Sequence, residues 1–210
     1  MSEIEQLRKE VKELREIVQN FSLMQGGQLS GPEIVKRLGT DIIIDPFNED
    51  NLNPGSYDLT LNPEIKFYTE TSIDLSEKQQ HVGTIIIPET GLWIKPGQFY
   101  LGKTNEYTET YNLVPKISGK SSAGRAPLFT NVSAHLGDDG FKGHWSIQLW
   151  APYHKVKVYP NMKIMHLYYI SIVGERKLYD GHYQNQTNPT FSSTVMGGRT
   201  YVPKGGYKNE

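Results

Sequence analysis

Six apolar residues, Ile4, Leu7, Val11, Leu14, Val18 and Phe21, recur alternately three and four positions apart. That is the period of a helix whose apolar seam faces another helix. The spacing predicts a helix over 2–22, with Glu3, Glu5, Lys9, Glu10, Lys12, Glu13, Arg15 and Glu16 on its outside. A lone helix of about three heptads is marginal in water, so the seam is expected to close on copies of itself. β-Branched residues on one row and Leu on the other favour two strands. After a Gly/Gln linker, Ser30-Gly31-Pro32-Glu33 combines a capping Ser, a Pro in the first turn and a Glu three residues after the cap. These signals predict a short helix over 32–38, stopped at Gly39.

From Ile42 the period shortens. Apolar and β-branched runs separated by Pro, Gly and Asn predict strands over 42–44, 56–61, 65–68, 84–87, 92–94, 99–103, 113–117, 145–150, 155–159 and 163–172. Many short strands at close spacing argue for an all-β sandwich or barrel. Residues 175–210 carry few aliphatics and cannot build a core of their own, so they read as a lid or tail. The expected organisation is a coiled-coil helix over 1–24, a linker over 25–29, a β-domain over 30–174 and a C-terminal lid over 175–210.

Composition narrows the functional classes. The 22 Lys and Arg residues nearly balance the 23 Asp and Glu residues, so no long-range field draws in nucleic acid or a membrane surface, and an anionic ligand must be held locally. The sequence contains no cysteine, which excludes disulfides, thiolate metal sites and a Cys nucleophile. With no apolar run of membrane-spanning length and a charged N-terminus, the expected location is the cytoplasm, of a bacterium or of a virus-infected host cell.

The densest chemistry lies between residues 119 and 143. Gly119-Lys120-Ser121-Ser122-Ala123-Gly124-Arg125 sets two hydroxyls and two cations between glycines, a set able to converge on a polyphosphate. Ser133-Ala134-His135 leads on to Asp138-Asp139-Gly140, carboxylates suited to a metal or an attacking water. Gly, Ser and Asp are also ordinary turn formers, so the residues alone leave both readings open.

The motifs in their order resemble the dCTP deaminase and dUTPase superfamily, more closely its dCTP deaminase branch, from about residue 29 to 195. Asp45-Pro46-Phe47 after the first strand, Asn53-Pro54-Gly55-Ser56-Tyr57-Asp58-Leu59, Gly119 to Arg125 with Lys120 where Arg is usual, Ser133 to Gly143, and Tyr183, Gln186 and Pro189 carry the likeness. The resemblance implies a distorted jelly-roll β-barrel working as a homotrimer with shared active sites, and three N-terminal helices rather than two. Its implied phosphate-binding residues are Lys120, Ser121, Ser122 and Arg125. Main-chain groups around Val132, Ala134 and His135 would read the base, with Asp58 orienting the sugar or supporting the site's architecture and Tyr183 and Gln186 closing over the nucleotide. Mg²⁺ would be held mainly through the substrate's phosphates, with Asp138 or Asp139 as possible ligands.

One departure directs the functional reading. The deaminases carry a proton-shuttling Glu in the strand after the hairpin, and here the aligned residue is Gln148. An amide exchanges no proton near neutral pH. Asp138 stands where dUTPases keep the Asp that activates water against the α-phosphate. The first expectation is therefore a diphosphatase converting a deoxynucleoside triphosphate, dUTP foremost, to monophosphate and pyrophosphate. The alternatives are a dCTP deaminase using another proton carrier, such as His135 or His144, and a non-catalytic nucleotide-binding trimer.

Overall fold

A computed structural model describes residues 3–24, 26–73, 81–131, 133–181 and 183–188. Val132, Pro189, the tail beyond residue 188 and the side chain of Phe21 lie outside the described residues. Helix α1 spans Glu3–Met24 and α2 spans Gly31–Lys36. In α2 the Ser30 side chain accepts from the Glu33 amide at 3.4 Å, as the sequence predicts. Strands follow as β1 (Ile42–Asp45), β2 (Leu52–Asn53), β3 (Ser56–Tyr68), β4 (Val82–Ile86), β5 (Leu92–Ile94), β6 (Phe99–Thr110) and β7 (Leu113–Gly119). A five-residue helix, α3 (Ser121–Arg125), precedes β8 (Lys142–Trp150), β9 (Val156–Val158) and β10 (Lys163–Ser171).

All the pairings between these strands are antiparallel, and the main path runs β1-β6-β3-β10-β7. β2 and β4 also pair with β3, β8 pairs with β6, and β5 with β9 forms a separate ribbon. The architecture is thus all-β as expected, but among the described residues the sheet path stays open at β1 and β7 rather than closing into a barrel. β3 turns the corner: its first half pairs with β10 and its second with β6, with the register shifting between Leu61 and Ile65. Two strands expected separately over 56–61 and 65–68 are this one continuous strand. Pro63 falls at the shift, where a missing N–H costs least.

The core gathers Tyr57, Leu59 and Leu61 of β3, Ile147 and Leu149 of β8, and Ile164, Met165, Leu167 and Tyr169 of β10. β6 carries polar residues inward at Thr104, Glu106, Thr108 and Thr110. A buried carboxylate needs partners most. Glu106 accepts from the Thr60 amide and hydroxyl at 2.8 and 2.7 Å. Burial pushes its carboxyl above the usual range, while the two Thr60 bonds pull the other way.

Candidate active site

Strand alternation builds one wall of the site. Along β8, Gly143, Trp145, Ile147 and Leu149 are buried, while Lys142, His144, Ser146 and Gln148 share the other face. A bulge between Lys103 and Tyr107 of β6 breaks the ladder to β8. There the Thr104 hydroxyl accepts the Trp145 amide at 3.0 Å, and the His144 Nδ1 lies 3.0 Å from the Thr104 carbonyl. A carbonyl only accepts, so Nδ1 carries the proton. Burial lowers the pKa of His144, which leaves a neutral ring with Nε2 as acceptor at pH 7. The Trp145 indole donates to Thr108 Oγ1 at 3.0 Å and packs on Phe141 with ring centroids 4.8 Å apart.

The loop after residue 132 is laid along β7. Ile117 N donates to the His135 carbonyl at 3.0 Å and Gly137 N to the Pro115 carbonyl at 2.9 Å. A Cβ on Gly137 would meet the Trp145 ring at 2.5 Å, so only glycine lets the loop lie on the indole. The Asp138 carbonyl then accepts from Phe141 N at 3.1 Å across a turn whose Gly140 has φ +87°. The two adjacent carboxylates part company at this turn. Asp138 is exposed and lines the cavity, whereas Asp139 is 4% exposed.

Asp139, expected as a possible metal ligand, is fully employed within the chain. Its Oδ1 accepts from Asn112 N at 2.8 Å and Arg176 at 3.1 Å, and its Oδ2 accepts from Arg176 Nε at 2.7 Å. In this structure Asp139 fastens the C-terminal segment. Tyr179 N also donates to the Asp139 carbonyl at 2.7 Å. Further on, Asn185 N donates to the Lys142 carbonyl and His144 N to the Gln186 carbonyl, both at 2.9 Å. Gly143 permits this approach, since a Cβ there would stand 2.8 Å from Gln186 N. The Gln186 side chain donates to Ser146 Oγ at 2.7 Å, and Lys103 holds the Thr187 carbonyl at 2.9 Å.

These walls enclose a cavity of about 430 Å³, within the range of small-ligand sites. Leu101, Ile117, Phe141 and Trp145 give it apolar sides, Asp138, His144, Ser146 and Gln148 a polar one, and Tyr179, Tyr183 and Gln186 a cover. Of the expected site residues, the fold brings together Asp138, Gln148, Ala134, Tyr183 and Gln186. His135 is exposed and contributes its carbonyl to β7. Gln148 faces Ser133: its Oε1 accepts from the Ser133 amide at 3.2 Å and its Nε2 donates to Ser133 Oγ at 3.3 Å. One main-chain donor expected to read the base is thereby occupied.

The expected phosphate residues lie apart from this cavity. Ser121, Ser122 and Arg125 are exposed on α3 and do not line it. Lys120 departs from expectation, because its ammonium is turned onto Asp58. Asp58 is itself 3% exposed and also accepts from Asn53 at 3.0 Å and His166 Nδ1 at 2.8 Å. Both oxygens are filled, so Asp58 is a strut joining β3, β10 and the start of α3 rather than an open sugar contact. Among the described residues no group of three or more His, Asp or Glu is placed to hold a metal ion. None of their helices is long and apolar enough to cross a membrane.

Sequence reasoning missed Arg176, Tyr179, Ser146 and the two cavity leucines, Leu101 and Leu136. For Ser146 the signal was available, since period-two alternation puts it beside Gln148. Arg176 sits 37 positions from Asp139 and carries no such local signal.

A family model described as dCTP deaminase-like matches residues 28–172. The chain belongs to that family. Proteins called dCTP deaminase, dUMP-forming, are similar to it. One from Clostridium botulinum (strain Eklund 17B / Type B) is 46% identical over 158 residues, covering 75% of this chain and 90% of that protein. One from Leptospira biflexa (strain Patoc 1 / Ames) is 45% identical over 157 residues, covering 74% and 89%. A crystal structure of 2'-deoxycytidine 5'-triphosphate deaminase from Agrobacterium tumefaciens superposes with a TM-score of 0.58 at 15% identity, over 70% of this chain and 48% of that one. That likeness bears on the fold. In this dCTP deaminase-like chain the matched residues hold Asp138 and Gln148, while Arg176, Tyr179, Tyr183 and Gln186 lie beyond them.

Proposed function

We propose that this chain hydrolyses a pyrimidine deoxynucleoside triphosphate, dCTP or dUTP, to the monophosphate and pyrophosphate, and leaves the amino group of cytosine in place. The observation that carries the reading is Gln148, an amide tied at both ends to Ser133, in the same cavity as the exposed carboxylate Asp138. Forming dUMP from dCTP, as the relatives' name states, takes two hydrolyses, loss of ammonia and loss of pyrophosphate. The chain keeps a carboxylate for the second and has an amide where the resemblance implies the proton carrier of the first. The relatives' activity begins from dCTP, which raises dCTP beside the dUTP that the sequence reading put foremost.

In the proposed reaction, Asp138 takes a proton from water as its oxygen bonds to the α-phosphorus, and the bond from that phosphorus to the bridging oxygen breaks to release pyrophosphate. Charge grows on the phosphate oxygens, and donors already aimed there stabilise it. Ser121, Ser122 and Arg125 are the proposed donors. They lie outside the cavity of their own chain, so they would serve a neighbouring copy, in a homotrimer with sites shared between chains. Among the described residues no cluster of His, Asp or Glu forms a site for Mg²⁺, and Asp139 is bonded to Arg176 and Asn112. The ion enters this proposal as the counter-ion of the triphosphate, and no step is routed through it.

Deamination of dCTP is the second reading, favoured by the 46% identity to proteins of that name. It requires a proton carrier other than Gln148, and His144, neutral and in the same cavity, is the candidate. Incubating dCTP and dUTP separately with the protein and Mg²⁺, then identifying the nucleotide and assaying ammonia and pyrophosphate, separates the readings. Formation of dCMP and pyrophosphate is expected from dCTP. Formation of dUMP with ammonia would establish the second reading and sink the first, and binding without turnover would leave a non-catalytic nucleotide-binding protein.

A further inference from the structure

Helix α1 ends just before the family match begins at residue 28, and its apolar seam is uncovered. Ile4, Leu7, Val11, Leu14 and Val18 are between 46% and 66% exposed. A seam of this size in water needs an occupant. The charges beside the seam say which. With Ile4, Val11 and Val18 at heptad position a and Leu7 and Leu14 at d, Arg8 and Arg15 occupy position e and Glu10 position g. The g position one heptad earlier is Glu3. In a parallel, in-register coiled coil, each g residue faces the e residue five positions on in the neighbouring helix. Glu10 then meets Arg15 of the next copy, and the same step leads from Glu3 to Arg8. An antiparallel pair sets g against g and e against e, which here means Glu against Glu and Arg against Arg.

We infer that α1 is one strand of a parallel, in-register coiled coil formed with the same helix of further copies of this chain. The register follows from attraction at both charged e/g contacts in the parallel orientation and like-charge repulsion in the antiparallel one. Ile17, 58% exposed at the next g position, widens the apolar stripe on the same side. A parallel bundle has its rotation axis along the helices, so it fits only a cyclic arrangement of the bodies behind it. The body is tied on immediately afterwards, where Ser171 N donates to the Gly27 carbonyl at 3.1 Å.

The absence of cysteine gives a clean test on the full chain. Ile4→Cys places one thiol at the N-terminal end of the seam, beside its own copy when the helices are parallel. In an antiparallel pair the two thiols stand about 25 Å apart, at 1.5 Å per residue. Under mild oxidation Ile4→Cys is expected to give covalent dimers at least about tenfold faster than Lys9→Cys, which faces outward. Adding Arg8→Glu and Arg15→Glu should remove that advantage, and adding Glu3→Arg and Glu10→Arg to the same chain should restore it. Equal rates for the two cysteines, or cross-linking indifferent to the charge changes, would overturn the inference. None of these readouts depends on turnover, so they stand apart from the proposed reaction.

Discussion

Replacing Gln148 by glutamate is expected to give the protein loss of ammonia from dCTP. The exchange substitutes an oxygen for an amide nitrogen of similar size. The Ser133 amide, 3.2 Å from Oε1, keeps its acceptor, and the Ser133 hydroxyl, 3.3 Å from Nε2, turns its proton toward the new oxygen. Each contact becomes a bond to a charged group, worth about 1.5–3 kcal/mol against about 0.5–1.5 for a neutral one. That gain offsets the cost of charging a half-buried position, so stability should stay within about 1 kcal/mol of the parent. A positioned acid–base group contributes about 10²- to 10⁴-fold in rate, or about 2.7–5.4 kcal/mol of barrier. Ammonia release from dCTP, measured by a coupled assay with chromatography of the nucleotides, should therefore rise at least about a hundredfold. The parent should yield dCMP and Gln148→Glu should yield dUMP. A parent that already releases ammonia as fast as the variant would refute the reasoning, as would a variant that cleaves the phosphoanhydride but frees no ammonia.

Other outcomes follow from the same geometry. Asp138→Asn should lower pyrophosphate release by about 10²- to 10⁴-fold with nucleotide binding retained, as turnover and equilibrium dialysis will show. Gly143→Ala and Arg176→Ala should each loosen the cover, raising KM more than they lower kcat and quickening proteolysis after residue 174; unchanged protection would count against the Asp139 clamp. Asp58→Ala leaves the partly buried Lys120 and His166 without their common carboxylate and should cost about 3–5 kcal/mol in denaturant unfolding. His144 is held below its ordinary pKa of 6.5 by burial, so the unfolded chain binds the extra proton first. Stability should fall as pH drops from 6.5 toward the lowered value, and Tm against pH should be flatter across that window in His144→Gln.

Much of the fold was legible because local rules agree with it. The heptad spacing of α1, the Ser30 cap and the alternation of β8 are properties of short segments, and each element appears near its expected bounds. What the sequence hid depends on neighbours distant along the chain. The run from Ser56 to Tyr68 reads as two strands because Pro63 interrupts it, yet pairing with β10 on one side and β6 on the other makes it one. Asp58 and Lys120 read as ligand contacts because the family resemblance places them in the first shared motif and in the phosphate segment. Only their meeting across 62 positions shows that they neutralise one another. Likewise only the family resemblance set Asp138 apart from Asp139, and the burial of Asp139 against Arg176, 37 positions away, carries no local signal. Gln148 was legible as an amide, but its hold on Ser133 was not.

Tyr179, Tyr183 and Gln186 line the cavity, although the family match stops at residue 172. The covering side chains and the proposed base therefore lie in separate stretches of the chain. Tyr179, Tyr183 and Gln186 can be exchanged as one cassette while Asp138 and its loop stay untouched. Grafting a relative's terminal stretch onto this body would retune admission of nucleotides without redesigning the chemistry, and shuffling at the Gly174 junction is the natural way to diversify this scaffold.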